Sequence, residues 1–243
     1  MNLYIVTGAS KGLGLSFTNF AIENGHRVIG ISRSRLEPRE GFYYLQTDLR
    51  NTDRLPEAIS AAVNKISTTD FKSIHLINNA GMIEPINFTK NLSASEIRQN
   101  IEVNLIAPIV LTSSFLKATS EFPGWRTIVN ISSGVAENPK ANWSVYSAAK
   151  AGLRGHSLAL AQEFTGTENI RVVCLSPGIM DTDMQAILRA QTTDRFPDVE
   201  SFKSYQSEGR LLKPEVVAKT LFNFLELPER INKVDYSIRE LLS

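Results

Sequence analysis

Short apolar runs alternate along this chain with longer stretches of helical periodicity. The runs are Leu3–Val6, Arg27–Ile31, Phe42–Gln46, Ile74–Ile77, Thr127–Ile131, Arg171–Leu175 and Val234–Ser237. Several are β-branched with few polar residues, as in strands buried on both faces of a parallel sheet. Helical patterns cover about 12–24, 52–67, 93–119, 144–165 and 214–226. Strand–helix alternation at this spacing predicts an α/β fold: a doubly wound sheet with right-handed crossovers and helices on both faces. A length of 243 residues suits one undivided α/β domain over 1–243. The rhythm breaks at about 182–213, a polar and weakly periodic segment whose length suggests a substrate-binding lid.

Composition excludes little. With 26 basic and 25 acidic residues the net charge is +1, which gives no ground for nucleic-acid or membrane attraction. No run approaches the roughly 20 apolar residues of a membrane span, and the N-terminus lacks the basic and extended apolar regions of a signal peptide. A single cysteine, Cys174, rules out an intrachain disulfide and suits a reducing, cytoplasmic setting. His26, His75 and His156 have no partners at metal-ligand spacing, so no metal is expected.

The first strand runs directly into Thr7-Gly8-Ala9-Ser10-Lys11-Gly12-Leu13-Gly14. Gly8, Gly12 and Gly14 permit a tight turn, close backbone approach to a pyrophosphate, and close packing of helix on strand. A helix beginning near Gly12 aims its free N–H groups and positive dipole end at the phosphates, with Ser10, Lys11 and Leu13 beside them. The second strand ends in Ile31-Ser32-Arg33-Ser34-Arg35, where an NAD-selective chain usually carries an acid. Arg33 suits bidentate contact with a 2′-phosphate, Ser34 lies next to it, and Lys11 supplies a second charge. The expected cofactor is therefore NADP(H).

Tyr146 and Lys150 stand i, i+4 in a helical pattern, so both leave one helix face. Ser133 lies at the end of an apolar strand, where α/β sheets place reactive groups. Asn104 is a polar amide inside an apolar helical stretch and needs partners there. Reducing a ketone takes a hydride on one face and an acid to protonate the developing alkoxide. Free tyrosine, with a pKa of about 10, is a poor match at neutral pH. An ammonium at Lys150 and an oxidised nicotinamide would both lower that pKa, while Ser133 would hold the substrate oxygen within reach of Tyr146.

The glycine turn, Asn78-Asn79-Ala80-Gly81, Asn104, the Ser133/Tyr146/Lys150 set and Pro177-Gly178-Ile179-Met180-Asp181-Thr182 together resemble the short-chain dehydrogenases/reductases, in order and spacing, over essentially the whole chain. The resemblance implies a Rossmann-type sandwich with a seven-stranded parallel sheet. It implies Asp48 and Leu49 near the adenine, and Asn79, Ala80 and Gly81 along the cofactor. Pro177, Gly178, Met180 and Thr182 would lie against the nicotinamide, with Tyr146 and Lys150 also touching the cofactor. It further implies that Asn104 holds a water in a proton relay, and that a homodimer forms through the helices at 93–119 and 144–165.

The last third resembles the sepiapterin-reductase branch and, within it, the bacterial benzil reductases. The substrate so implied is an aromatic 1,2-diketone, of which one carbonyl is reduced; a pterin is the alternative. Trp143, Met180, Met184, Phe196, Phe202 and Tyr205 are candidates for an apolar pocket. Asp235 matches in position an acid that anchors pterin in such relatives. A non-catalytic NADP(H)-sensing protein is the reading from another class, and the intact Ser133/Tyr146/Lys150 set argues against it.

Overall fold

In the computed structural model, which describes residues 1–64, 70–167 and 169–243, the apolar runs become parallel strands of one sheet. They are β1 (Asn2–Thr7), β2 (Arg27–Ser32), β3 (Phe42–Gln46), β4 (Ser73–Asn78), β5 (Trp125–Ile131), β6 (Ile170–Ser176) and β7 (Asp235–Ser237). Their order is β3-β2-β1-β4-β5-β6-β7, with every neighbouring pair parallel. The seven-stranded, doubly wound expectation holds.

Strand periodicity sorts the side chains onto two faces. Tyr4, Val6, Val129 and Val173 pack with Leu13, Phe17 and Ala21 of α1 (Gly12–Glu23) and Leu221 and Leu225 of α8 (Pro214–Leu225). Leu3, Ile5, Leu76 and Ile128 face the other way. They meet Ile59 of α2 (Leu55–Asn64), Leu111 and Phe115 of α4 (Ala107–Ala118) and Leu160 of α5 (Ser144–Glu163).

Two helical expectations need correction. The helix expected over 52–67 starts as a 3-10 turn at Thr52–Arg54 before α2, and 65–67 lie outside the described residues. The helix expected over 93–119 is interrupted. Ser93 caps α3 (Ala94–Ile101) by accepting from the Glu96 amide while Glu96 accepts from the Ser93 amide. A π turn at Glu102–Ile106 then precedes α4. Ala94–Ala118 is also long and apolar enough to cross a membrane by length and composition, which overturns the claim that no run is. Its apolar side chains Ala107, Leu111 and Phe115 pack against the sheet.

The polar segment after 182 contains α6 (Asp183–Arg189) and α7 (Val199–Ser207). Leu188, Phe196, Val199 and Phe202 from this segment join Ile83, Ile86, Val135, Trp143 and Tyr146 in a third apolar cluster. Four buried anchors in a polar stretch were too widely spaced to register as periodicity. A short α9 (Ile238–Leu242) follows β7.

At the opposite, N-terminal end of the sheet His75 is fully buried, stacked on Tyr4 at 4.8 Å, with Nε2 2.8 Å from the Ser73 hydroxyl. Burial pulls its pKa down to about 3. The native state therefore keeps it neutral while an unfolded chain takes up a proton below its ordinary pKa. That stability is complete above about pH 6.5 and is lost as pH falls toward 3. Between pH 7 and 5 the loss is about 2 kcal/mol, from the shift in proton binding. Urea unfolding of His75→Phe at both pH values should show a pH dependence smaller by that amount; an unchanged dependence would assign it to other groups.

Candidate active site

The C-terminal ends of the strands open into a cleft of about 1400 Å³. Its floor starts at the glycine turn, where Gly8 and Gly12 take positive φ of 70° and 54°. Glycine adopts such values most readily, having no Cβ to clash. A Cβ on Gly8 would fall 3.0 Å from the Asn79 amide and 3.1 Å from the Ala80 Cα, so the turn lies tightly against the end of β4. No side chain caps the N-terminus of α1, and its first turn holds no acid. Its free N–H groups leave a site for anionic oxygens.

Of the residues expected to touch a cofactor, Gly8, Ser10, Lys11, Gly12 and Leu13 line the cleft, as do Arg33, Ser34, Asp48 and Leu49. So do Asn79, Ala80, Gly81, Pro177, Gly178, Met180 and Thr182. Gly14 does not. A Cβ there would sit 2.3 Å from the Gly8 carbonyl oxygen, so this glycine serves the packing of helix on turn. Lys11 is ion-paired with Asp183 at 3.2 Å, joining the glycine turn to the start of α6.

Thr7, at the end of β1, is a functional position that the sequence motifs do not point to. Its buried hydroxyl accepts from the Asn79 and Ala80 amides, both at 2.9 Å, and the Asn79 side chain donates back to the Thr7 carbonyl at 2.9 Å. These bonds fasten the end of β1 to the loop after β4. The signal available in sequence was a hydroxyl residue at the mouth of a buried strand, which needs a partner.

Tyr146 and Lys150 leave α5 on its inner face, both buried. The Lys150 ammonium donates to the Ile131 carbonyl at 2.8 Å and lies 5.8 Å from the Tyr146 ring centroid. The lowering of the Tyr146 pKa expected from this ammonium is not found. Burial dominates and pushes the phenol up to about 12, with the Ser133 hydroxyl opposing it. Burial likewise brings Lys150 down to about 8. Both shifts have the sign of desolvation, which disfavours phenolate and ammonium alike.

Asn104 does not reach the cleft wall. From the π turn its amide donates to the Met82 carbonyl at 2.8 Å and to the Asn100 side chain at 2.9 Å, and its oxygen accepts from the Met82 amide at 3.2 Å. Asn100, not singled out from sequence, donates to the Glu84 carbonyl at 2.7 Å. The two asparagines clamp residues 82–84. A Cβ on Gly81 would lie 3.0 Å from the Asn104 oxygen and 3.8 Å from the Lys150 ammonium.

Above Tyr146 the wall is aromatic. Trp143 stacks on it at 4.8 Å and 28°, and its indole N–H donates to the Ile83 carbonyl at 3.0 Å. Met180, Met184, Phe202 and Tyr205 also face the cleft. Phe196 is fully buried, packed edge-on against Trp143 at 5.4 Å, and supports the wall from behind. Asp235 is turned elsewhere: its carboxylate is paired with Arg154 at 2.6 Å, and Arg154 also meets Glu137 at 3.3 Å. That pairing ties β7 to α5, and Asp235 is not among the residues lining the cleft.

Residues 2–193 match the short chain dehydrogenase family. The chain belongs to that family. Among similar proteins, a benzil reductase ((S)-benzoin forming) of Bacillus subtilis is 36% identical over all of this chain and all of its own length. A sepiapterin reductase of Xenopus tropicalis is 28% identical over 92% of this chain and 91% of its own. A solved serine dehydrogenase in closed form, complexed with NADP+, superposes with a TM-score of 0.77 at 25% identity, covering 97% of this chain and 93% of that one. This short-chain dehydrogenase is thus an oxidoreductase of small molecules, in a family that uses nicotinamide cofactors. The uncapped α1 terminus and the glycine turn fit such a dinucleotide.

Thr7→Val keeps the shape but leaves two backbone N–H groups without their acceptor. It should destabilise the protein by about 2–4 kcal/mol, read from urea unfolding; an unchanged midpoint would mean that the two groups find other partners.

Proposed function

We propose that this protein is an NADPH-dependent carbonyl reductase that delivers hydride to one carbonyl of an aromatic 1,2-diketone, with Tyr146 as the proton donor. The observation that carries the reading is the buried Tyr146 phenol beside Ser133, roofed by Trp143 and facing the cleft. The 36% identical benzil reductase of Bacillus subtilis supports the substrate class. Arg33, Ser34 and Lys11 on the cleft wall support NADP(H).

A bound reduced nicotinamide supplies the hydride. The remaining steps belong to the chain. Ser133 donates a hydrogen bond to the substrate oxygen and sets it against the phenol. As negative charge grows on that oxygen, the Tyr146 O–H transfers its proton. The Lys150 ammonium, in a region of low dielectric, then stabilises the phenolate that remains. Trp143, Phe202 and Tyr205 exclude water and offer flat apolar faces to aryl groups. Asn104 acts as a positioning residue by fixing residues 82–84 along the cleft.

Residues 182–213 act as the lid, Lys11 and Asp183 joining it to the glycine turn. The chain is assigned to the cytoplasm, in keeping with its single buried free cysteine. It pairs as a homodimer through the helices around 93–119 and 144–165, where Ile106 stands exposed on the π turn.

With benzil as substrate, NADPH is expected to be consumed in preference to NADH. Tyr146→Phe should lower kcat by at least about a hundredfold while nucleotide binding, followed by tryptophan fluorescence, persists. Substantial turnover in that variant would refute the mechanism, and an absence of turnover with any dicarbonyl would refute the substrate class.

The two buried groups also set a pH profile. Tyr146, with its pKa pushed up to about 12, stays protonated over the working range, whereas Lys150 loses its proton above about 8. Below that pH kcat/KM for reduction should be level, and above it should fall about tenfold per unit. A plateau extending to pH 10 would remove Lys150 from that role.

A further inference from the structure

One guanidinium on the cleft wall takes no part in the account above. Arg50 follows Asp48 and Leu49 after β3, and Arg50, Asp48 and Arg33 all face the same cleft. The Arg50 Nε donates to both Asp48 carboxylate oxygens, at 3.1 and 3.0 Å, and Nη2 joins the second oxygen. The Arg50 backbone N–H adds a bond to the first at 3.0 Å. A flexible surface pair two residues apart contributes little; this one is a fork closed on both oxygens and backed by the main chain.

The arrangement bears on charge. The Asp48 carboxyl is held below its usual range, first by the Arg50 hydrogen bond and to a smaller degree by Arg33. Asp48 and Arg33 therefore sense one another across this end of the cleft. An uncompensated carboxylate there would repel a phosphorylated ribose and draw on the very guanidinium meant for the phosphate. Lys11, the other cation, is itself shared with Asp183.

Resting on the NADP(H) reading above, we propose that Arg50 is a determinant of 2′-phosphate recognition, acting by cancelling the charge of Asp48 beside Arg33. It leaves Arg33 available to the phosphate and turns the Asp48 carboxylate, which shares this end of the cleft, into a neutral pair.

The test is calorimetric titration of the purified protein with 2′,5′-ADP and with 5′-AMP, which differ in the 2′-phosphate. The wild type should bind 2′,5′-ADP more tightly. Arg50→Gln should weaken 2′,5′-ADP about tenfold and 5′-AMP by less than about twofold, as for loss of one charge-assisted interaction. Arg50→Lys, which keeps the charge and loses the fork, should weaken 2′,5′-ADP about threefold. In an Asp48→Asn background, Arg50→Gln should weaken it by about threefold or less, because no carboxylate is left to cancel. A 2′,5′-ADP affinity that Arg50→Gln leaves unchanged, or an equal loss in both backgrounds, overturns the role of Arg50 alone. A wild type that binds both nucleotides equally overturns the NADP(H) reading and the inference together.

Discussion

The constraint on which this molecule depends is the position of β1, paired in parallel with β2 on one side and β4 on the other. From β1 the chain winds outward to β3, returns, and winds outward again to β7. Connections leaving β1 and β4 diverge to opposite sides, and a crevice opens between them at the carboxyl ends of the strands. The glycine turn and the loop after β4 border this crevice, and the Thr7 hydroxyl and Asn79 amide bond one to the other. Every feature of the cleft is measured from that junction. The positive φ at Gly8 keeps the turn clear of Ala80, and the bare backbone at Gly14 lets α1 settle against the Gly8 carbonyl.

Much of this was legible in sequence because it depends on local pattern. Strands buried on both faces read as apolar runs, and the i, i+4 spacing of Tyr146 and Lys150 needs one helix and no partner. What escaped depends on contacts between distant segments. Asp235 looks free until Arg154 is brought to it across 81 positions. Asn104 looks like a spare amide until residues 82–84 fold against it, and the π turn that aims it has no periodicity of its own. Phe196 resembles a pocket residue in sequence, yet it packs behind Trp143. The expected depression of the Tyr146 pKa failed for a related reason. It counted the neighbouring charge and omitted desolvation, which a sequence does not display.

The shifts at Tyr146 and Lys150 are best understood together. Removing both groups from water opposes ionisation of each, so the site at rest favours a neutral phenol and weakens the hold of the lysine on its proton. In the proton-donor role proposed for Tyr146, a phenol of high pKa is reluctant in the ground state and gives up its proton only when strong negative charge appears on an adjacent oxygen. The same low dielectric that raises the resting pKa enlarges the attraction between phenolate and ammonium once the proton has moved. Stabilisation that grows with charge development acts on the transition state more than on the bound substrate.

That logic requires the roof to remain dry, and the loop before α5 is built for it. Asn142, the one non-glycine residue with positive φ among those described, donates from its side chain to the Asp194 and Arg195 carbonyls at 3.4 and 3.1 Å. Its own carbonyl accepts from the Asn87 amide at 2.9 Å. Lys140 is paired with Asp198 at 2.8 Å, while Trp143 is pinned to Ile83. The left-handed geometry at Asn142 thus serves two segments at once, and asparagine adopts it more readily than most side chains. Residues 82–87, 140–143 and 194–202 are tied together across the top of Tyr146, and the apolar cluster beneath those bonds seals the phenol from solvent.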